Sequence, residues 1–526
     1  STPNGPSIPG ADRLPFDLRQ GFSLERTRDG ISPWEQKTGL KRDEYFATIP
    51  SLPIGYGPAR ELLKQMAGAN VPEGWQGGLP LAYHVGPGPV EAKVSVSNAY
   101  ALQTIWNVIA RLPGAVEPDS WVMLGNHRDA WVYGAVDPGS GTAATLETCR
   151  AMGEAVRAGW KPRRTIVYAS WDAEEYGLVG STEWAEQFAD EIDRKAALML
   201  NVDVAVSGPD LRMSGVPSLR DLILESAGAV TDVRSGRTLR DIWTDARSKE
   251  WAASSALVLA DPFWQRSIGP GEPLPAPRDF TPHLNPLGSG SDYTAFIDHL
   301  GVPCLDVGFS GSYGVYHSMY DDFNWMEKFG DPEFLTHATA ARLYAVVLMR
   351  AAAAEVLPFR FVPYAEAFRD HVDELRLMRL RKARRSGKPG ATSNEEFGGL
   401  ADSVLQYQEE ARRLDGALDS LSAKDGARPE AIEALNAELT RLERALLLPG
   451  GLEGRPWFKH AIYAPGLTTG YASWPLPAVR EAIEMDKADK IKDAVLKTTA
   501  AIDAATAALK KASALAVEAS KSAPAR

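Results

Sequence analysis

Between residues 90 and 355, short apolar runs alternate with amphipathic stretches, and this rhythm constrains the fold more than any other feature of the chain. Ala92–Val96, Trp121–Leu124, Thr165–Ser170, Ala197–Val202 and Val302–Val307 are apolar and rich in β-branched residues, and read as strands. Leu102–Arg111 leans the same way on its β-branched and aromatic content. Thr142–Ala158, Ser181–Ala189 and Leu219–Ala227 carry apolar residues at helical spacing. Buried strands separated by helices predict an α/β fold, a mainly parallel central sheet flanked by helices. Residues 231–290, broken by Pro and Gly, read as a long functional loop region with one short helix near 248–256.

Beyond Leu357-Pro358 the pattern changes. Residues 363–386, 394–421 and 428–447 have helical periodicity with charged faces, and 476–522 is rich in Ala and Lys, with a tail expected to fray from 499 onwards. Residues 1–85 are punctuated by Pro and Gly, with one helix expected at 58–67. The expected division is therefore 1–85, 86–358 and 359–526, which suits a chain of 526 residues. The net charge of -11 argues against a general nucleic-acid binder, and the basic run Arg376–Lys388 reads as a solvated helix face. Cys149 and Cys304 cannot make a disulfide framework and read as free thiols. No apolar run reaches the roughly 18 residues of a membrane-spanning helix.

The chemistry-bearing residues fall at the carboxyl ends of the expected strands, where open α/β sheets place their active sites. They are Gly125-Asn126-His127-Arg128-Asp129, Asp137-Pro138-Gly139-Ser140-Gly141, Trp171-Asp172-Ala173-Glu174-Glu175-Tyr176-Gly177, Asp203 and Tyr316-His317-Ser318. Each alone reads more readily as a turn, a packed histidine or a solvated helix start. Together they give the order His, Asp, Glu-Glu, Asp, His. Imidazole nitrogen and carboxylate oxygen are zinc donors. Two zinc ions about 3.5–4 Å apart need an anionic bridge, and the water they share becomes a nucleophile near neutral pH. A carboxylate beside them must take that water's proton and deliver it to the leaving amine.

At these residues the chain resembles the glutamate carboxypeptidase II and transferrin receptor family of co-catalytic zinc exopeptidases. The stretches 125–141 and 162–186 carry the likeness, which runs from near residue 5 to about 515 and includes Tyr463-Ala464-Pro465. The resemblance implies a zinc exopeptidase fold, a C-terminal all-helical dimerisation domain and a remnant of a protease-associated domain at the N-terminus. It implies two zinc ions bridged by Asp137, one completed by His127 and Asp203, the other by Glu175 and His317. Glu174 is then the general base, Asp129 orients His127, and Tyr316 contacts the substrate; the bond after Asp137 is expected to be cis. Glu183 and Glu186 match positions of a structural calcium site, which Ile8–Ala11 match only in part. The resemblance also implies a homodimer through the helical domain, although intrachain packing explains its apolar stripes as well, and it favours an exported protein.

Substrate residues depart from the family pattern. Tyr471 is kept, but Gly470 stands where the glutamate-selective member has Lys, so strict glutamate preference is not expected. Of an arginine patch, Arg212 remains; Asp306 and Gly308 replace two arginines and Ser291 an Asn. Asp306 would repel an acid and suit a free α-amine, or stand as a solvated turn carboxylate. The relatives carry about 250 further residues before the point matching Ser1, so a separate N-terminal fragment completing the fold is expected, with a reduced domain as the alternative. The expected activity is removal of a terminal residue from a small peptide, carboxypeptidase-like; an aminopeptidase and an inactive receptor on the same scaffold are the alternatives.

Overall fold

The computed structural model describes residues 49–72, 74–86, 88–97, 104–260, 280–385, 393–422 and 428–521. The chain forms two compact units, residues 12–104 and residues 1–11 with 105–526. The described part of the first holds a helix, Tyr56–Leu63, and an antiparallel pairing of Ala69–Asn70 with His84–Val85. The expected strand Ala92–Val96 does not form: residues 91–97 are exposed and join no ladder. The Val-Ser-Val alternation has the period of a strand, but no neighbouring strand satisfies its backbone. Most of the region expected as a protease-associated remnant, residues 1–48, lies outside the described residues.

The larger unit is built on a six-stranded sheet comprising β1 (Val108–Leu112), β2 (Glu117–His127), β3 (Arg164–Trp171), β4 (Ala196–Asn201), β5 (Asp210–Gly215) and β6 (Cys304–Ser310). The order is β1-β3-β2-β4-β6-β5. The four central strands are parallel and each edge strand is antiparallel to its neighbour. Leu124 of β2 lies between Tyr168 of β3 and Leu200 of β4, which fixes the register at the centre of the sheet. Trp121 through His127 are all buried, as are all six residues of β4. A sheet covered on both faces demands such continuous apolar runs, and each fully buried Val, Leu or Met stabilises it by about 1.5–3 kcal/mol.

Helices α1 (Gly139–Arg157), α2 (Val179–Gln187), α3 (Ala189–Lys195), α4 (Arg220–Gly228), α5 (Leu239–Ala260) and α6 (Leu335–Ala353) flank the sheet. The region read as loop from 231 thus contains a long helix, α5, whose buried Leu239 and Trp243 lie one turn apart. Strand β5 was not expected. It has only Leu211 and Met213 as apolar side chains, and its place is set by pairing with β6.

The C-terminal part is helical: α7 (Val362–Arg385), α8 (Ser393–Ser422), α9 (Pro429–Arg441), α10 (Pro477–Glu484) and α11 (Ala488–Ala519). The tail does not fray from 499. Ala501, Ile502, Ala505, Leu509, Ala512, Ala516 and Ala519 are buried at three- and four-residue spacing, and α11 packs along α8. Alanine reads as low complexity in the sequence, but it lets two helix backbones approach closely.

Candidate metal centre

The strands deliver the candidate residues to one end of the sheet. His127 is the last residue of β2, and the loop to α1 carries Asp129 and Asp137. Glu174 and Glu175 follow β3, Asp203 follows β4, and His317 lies in the loop after β6. Two donor groups result, His127 with Asp137 and Asp203, and Asp137 with Glu175 and His317, the donor atoms of each lying within 4.8 Å of one another. Asp137 belongs to both. His127 Nε2 is 2.9 Å from Asp203 Oδ1 and 3.4 Å from Asp137 Oδ1. His317 Nε2 is 3.1 Å from Asp137 Oδ2 and 3.4 Å from Glu175 Oε2. Glu174 stands beside the groups and in neither, with Oε2 3.9 Å from His127 Nε2.

The backbone around these side chains is built for its task. The Asp137–Pro138 bond is cis, as expected. Asp137 lies two residues before Gly139, the first residue of α1, where the helix dipole favours negative charge. A Cβ on Gly141 would collide with the carbonyl of Asp203 and with Asn126, which explains the glycine at this point. Asp129 orients His127 through its backbone carbonyl, which accepts the Nδ1–H at 3.0 Å. Its carboxylate does a second job: Oδ1 accepts the N–H of Glu174 at 3.0 Å and Oδ2 that of Glu175 at 3.2 Å. One residue thus fixes His127 and the Glu-Glu turn together.

The sequence reading missed an equivalent support on the other side. Asp321 accepts the N–H of Val136 at 2.8 Å and of Asp137 at 3.1 Å, and the Tyr313 hydroxyl donates to it at 2.7 Å. Its only signal was the Asp321-Asp322 pair four residues beyond His317, which reads as a turn.

The electrostatics are those of a site made for cations. Burial first, then the Asp203 carboxylate, pushes the Glu174 pKa well above the usual range. Burial and Asp137 push Glu175 up to about 7. Asp137 is held at about 2: burial opposes its charge, but hydrogen bonds from His127 and His317 outweigh that. Burial likewise opposes charge on His127, yet Asp203, Asp129 and Asp137 raise its pKa well above normal. Among the described residues, Glu175 Oε1 is buried without a hydrogen-bond donor, and Asp137 Oδ1 has only the His127 ring nitrogen, at 3.4 Å. Unpartnered buried carboxylate oxygens are costly unless a cation meets them, so the donor set fits metal ions.

The expected substrate residues separate into two kinds. Tyr316 and Tyr471 are exposed, and the Tyr316 ring stacks on that of His317 at 3.6 Å. The Glu174 carboxylate, after burial, raises the Tyr471 pKa, as expected of a phenol near the acids. Arg212, Asp306 and Ser291 instead form a network. Arg212 Nη1 lies 2.5 Å from Asp306 Oδ2, and Asn201 Nδ2 donates to Asp306 Oδ1 at 3.0 Å and to Ser291 Oγ at 2.8 Å. Asp306 is thus a buried, paired carboxylate rather than a solvated turn residue. A Cβ on Gly308 would meet the Val204 carbonyl, so an arginine there would not fit this backbone. Glu186 accepts the Trp457 indole N–H at 2.6 Å; Ile8–Ala11, the other part of the expected calcium site, lie outside the described residues.

Two family descriptions match this chain: Peptidase family M28 over residues 107–249 and the transferrin receptor-like dimerisation domain over residues 395–510. The chain is 38% identical to the probable glutamate carboxypeptidase LAMP1 of Arabidopsis thaliana, over 84% of this chain and 57% of that protein. It is 34% identical to the aminopeptidase NAALADL1 of Mus musculus, over 90% of this chain and 64% of that one. It is 32% identical to the probable glutamate carboxypeptidase VP8 of Zea mays, over 83% and 57%. The chain belongs to the glutamate carboxypeptidase II and transferrin receptor-like family. It spans between half and two thirds of the length of these relatives. The M28 match contains His127, Asp137, Glu174, Glu175 and Asp203, while His317 lies between the two matched stretches and is brought to the others by the fold. In this member of the glutamate carboxypeptidase II and transferrin receptor-like family, the dimerisation-domain match falls on helices α8 to α11.

Proposed function

We propose that this chain is a dizinc metallo-exopeptidase that removes one terminal residue from small peptides. The observation that carries the reading is Asp137, shared between two complete donor groups, with Glu174 alongside and outside both. In this reading two zinc ions would be held, one by His127, Asp137 and Asp203 and the other by Asp137, Glu175 and His317, with Asp137 common to both. Bound there, the ions would polarise the scissile carbonyl and make a shared water acidic. Glu174 accepts the proton of the attacking water and passes it to the leaving amine, a task suited to a carboxyl whose pKa burial and Asp203 raise above the usual range. Asp129 holds the Glu174 backbone in place, and Tyr316, fixed by stacking on His317, offers its hydroxyl to the substrate.

The carboxyl end of the substrate is favoured over the amino end. Asp306 is neutralised by Arg212 and is not free to hold an α-amine, while Tyr316, Tyr471 and the exposed part of Arg212 suit a carboxylate. Relatives named for each activity keep an aminopeptidase as the second reading. Turnover of N-blocked against C-amidated dipeptides by the zinc-loaded protein decides. Cleavage of the N-blocked set is expected; cleavage of the C-amidated set alone would establish the aminopeptidase. With the family's dimerisation-domain match, the helical part is assigned to a homodimer, which sedimentation would test. Calcium at Glu183 and Glu186, one turn apart on α2, would raise thermal stability in the native protein and not in Glu183→Gln.

A further inference from the structure

Aromatic side chains extend outward from the metal centre beside His317. The Trp131 ring lies 6.1 Å from the His317 ring and 5.6 Å from the Tyr176 ring, and the Tyr316 ring also stacks on His317. Trp131 and Tyr176 are 50% and 71% exposed, an unusual cost for rings of this size unless something packs on them. Their placement is fixed by the chemistry. Trp131 sits in the loop that brings Asp129 and Asp137, and Tyr176 directly follows Glu175. The backbone of both residues is thus set by the segments that carry the donors. Beside Asp203 the described residues present a charged pair instead. There Arg212 meets Asp306, and both Asp306 and Asp203 hold the guanidinium charged.

We infer that the Trp131–Tyr176 wall is the subsite for a large apolar or aromatic side chain of the substrate, on one side of the scissile bond over the Glu175–His317 group, and that Trp131 sets this preference. The inference rests on the exopeptidase reading. It adds that the chain selects hydrophobic peptides, with the charged terminus directed to the Arg212 side. Continuity with the centre through His317 argues for the occupant. A side chain lying on Trp131 would sit beside His317, one of the donors next to the reacting bond, and the Trp131 and Tyr176 rings offer it an apolar surface.

The test is a set of dipeptides alike except for Ala, Leu, Phe or Glu at each side of the scissile bond, assayed with zinc-loaded full chain. At one of the two positions Phe and Leu are expected to exceed Ala and Glu in kcat/KM by about ten-fold or more, the usual scale for filling an apolar pocket. Trp131→Ala is expected to reduce the Phe-to-Ala ratio by about ten-fold, and Trp131→Phe to restore most of it. A ratio that stays fixed while all substrates weaken together, or a preference for Glu at both positions, would overturn the assignment; the first result would mean that another part of the protein covers these rings. If no peptide is cleaved, the exopeptidase reading fails by itself. The subsite is then read from binding of phenylalanine hydroxamate against acetohydroxamate to the zinc-loaded protein. Tighter binding of the aromatic ligand that Trp131→Ala removes supports it, and equal or absent binding overturns it.

Discussion

His127 and His317 come from opposite ends of the α/β region, yet both present Nε2 to one carboxylate: Asp137 Oδ1 is 3.4 Å from the first and Oδ2 is 3.1 Å from the second. A single side chain with one oxygen directed to each half of a site is what a shared ligand requires. Asp137→Ala is therefore expected to lose most bound zinc from both groups, and with it activity. Metal analysis after dialysis checks this, and full retention of two zinc ions would contradict the bridge.

Glu174 differs from the donors in lying outside both groups. Glu174→Gln keeps the shape and removes the proton acceptor. Zinc content should stay as in the native protein while kcat falls by about 10²–10⁴, the range for loss of general acid–base catalysis. Undiminished turnover would reassign the base.

Asp321 gives a test that sequence motifs did not suggest. Asp321→Ala leaves the N–H groups of Val136 and Asp137 without their acceptor, at about 1–3 kcal/mol for each buried donor. Zinc affinity should fall by about 10–100-fold, as for other residues that hold a ligand in place. Tyr313→Phe, which removes one donor to Asp321, should have a smaller effect in the same direction. Competition with a chelator measures both.

The metal-free protein should lose stability as pH rises. Burial and Asp137 raise Glu175 from 4.5 to about 7, and burial raises Asp292, fully enclosed nearby, from 3.8 to about 7. A group whose folded pKa is raised contributes stability that is complete below its unfolded pKa and is lost as pH climbs through the folded value. His127, raised by the surrounding carboxylates, has the same sign at higher pH. Asp137, lowered to about 2, loses its contribution only in strong acid. The Tm of chelated protein should fall between about pH 4 and 7, and Glu175→Gln should flatten that fall. A flat profile in the chelated native protein would contradict the charge assignment.

Much of the centre was legible in the sequence because its residues sit in short stretches tied to strand ends. His127 closes β2, Glu174 and Glu175 follow β3, and Asp203 follows β4, so the parallel order of the strands brings them together. Asp321 was not legible. Its role is to accept two backbone N–H groups from a distant loop, and backbone partners leave no residue pattern. The pairing of Arg212 with Asp306 was hidden for a related reason. It depends on the antiparallel register of β5 against β6, and β5 has too few apolar residues to reveal itself. In the helical part, α8 was visible from its period, whereas the buried alanine stripe of α11 looked like low complexity. The Val-Ser-Val alternation at 94–96 misled in the opposite sense, having the right period and no partner strand.

The central claim is tested most directly by anomalous scattering at the zinc edge from crystals of the zinc-loaded protein. Two peaks about 3.5–4 Å apart are predicted, one beside His127 and Asp203, the other beside Glu175 and His317, with Asp137 reaching both and Glu174 reaching neither. A single peak, peaks elsewhere, or Glu174 found in direct coordination would contradict it.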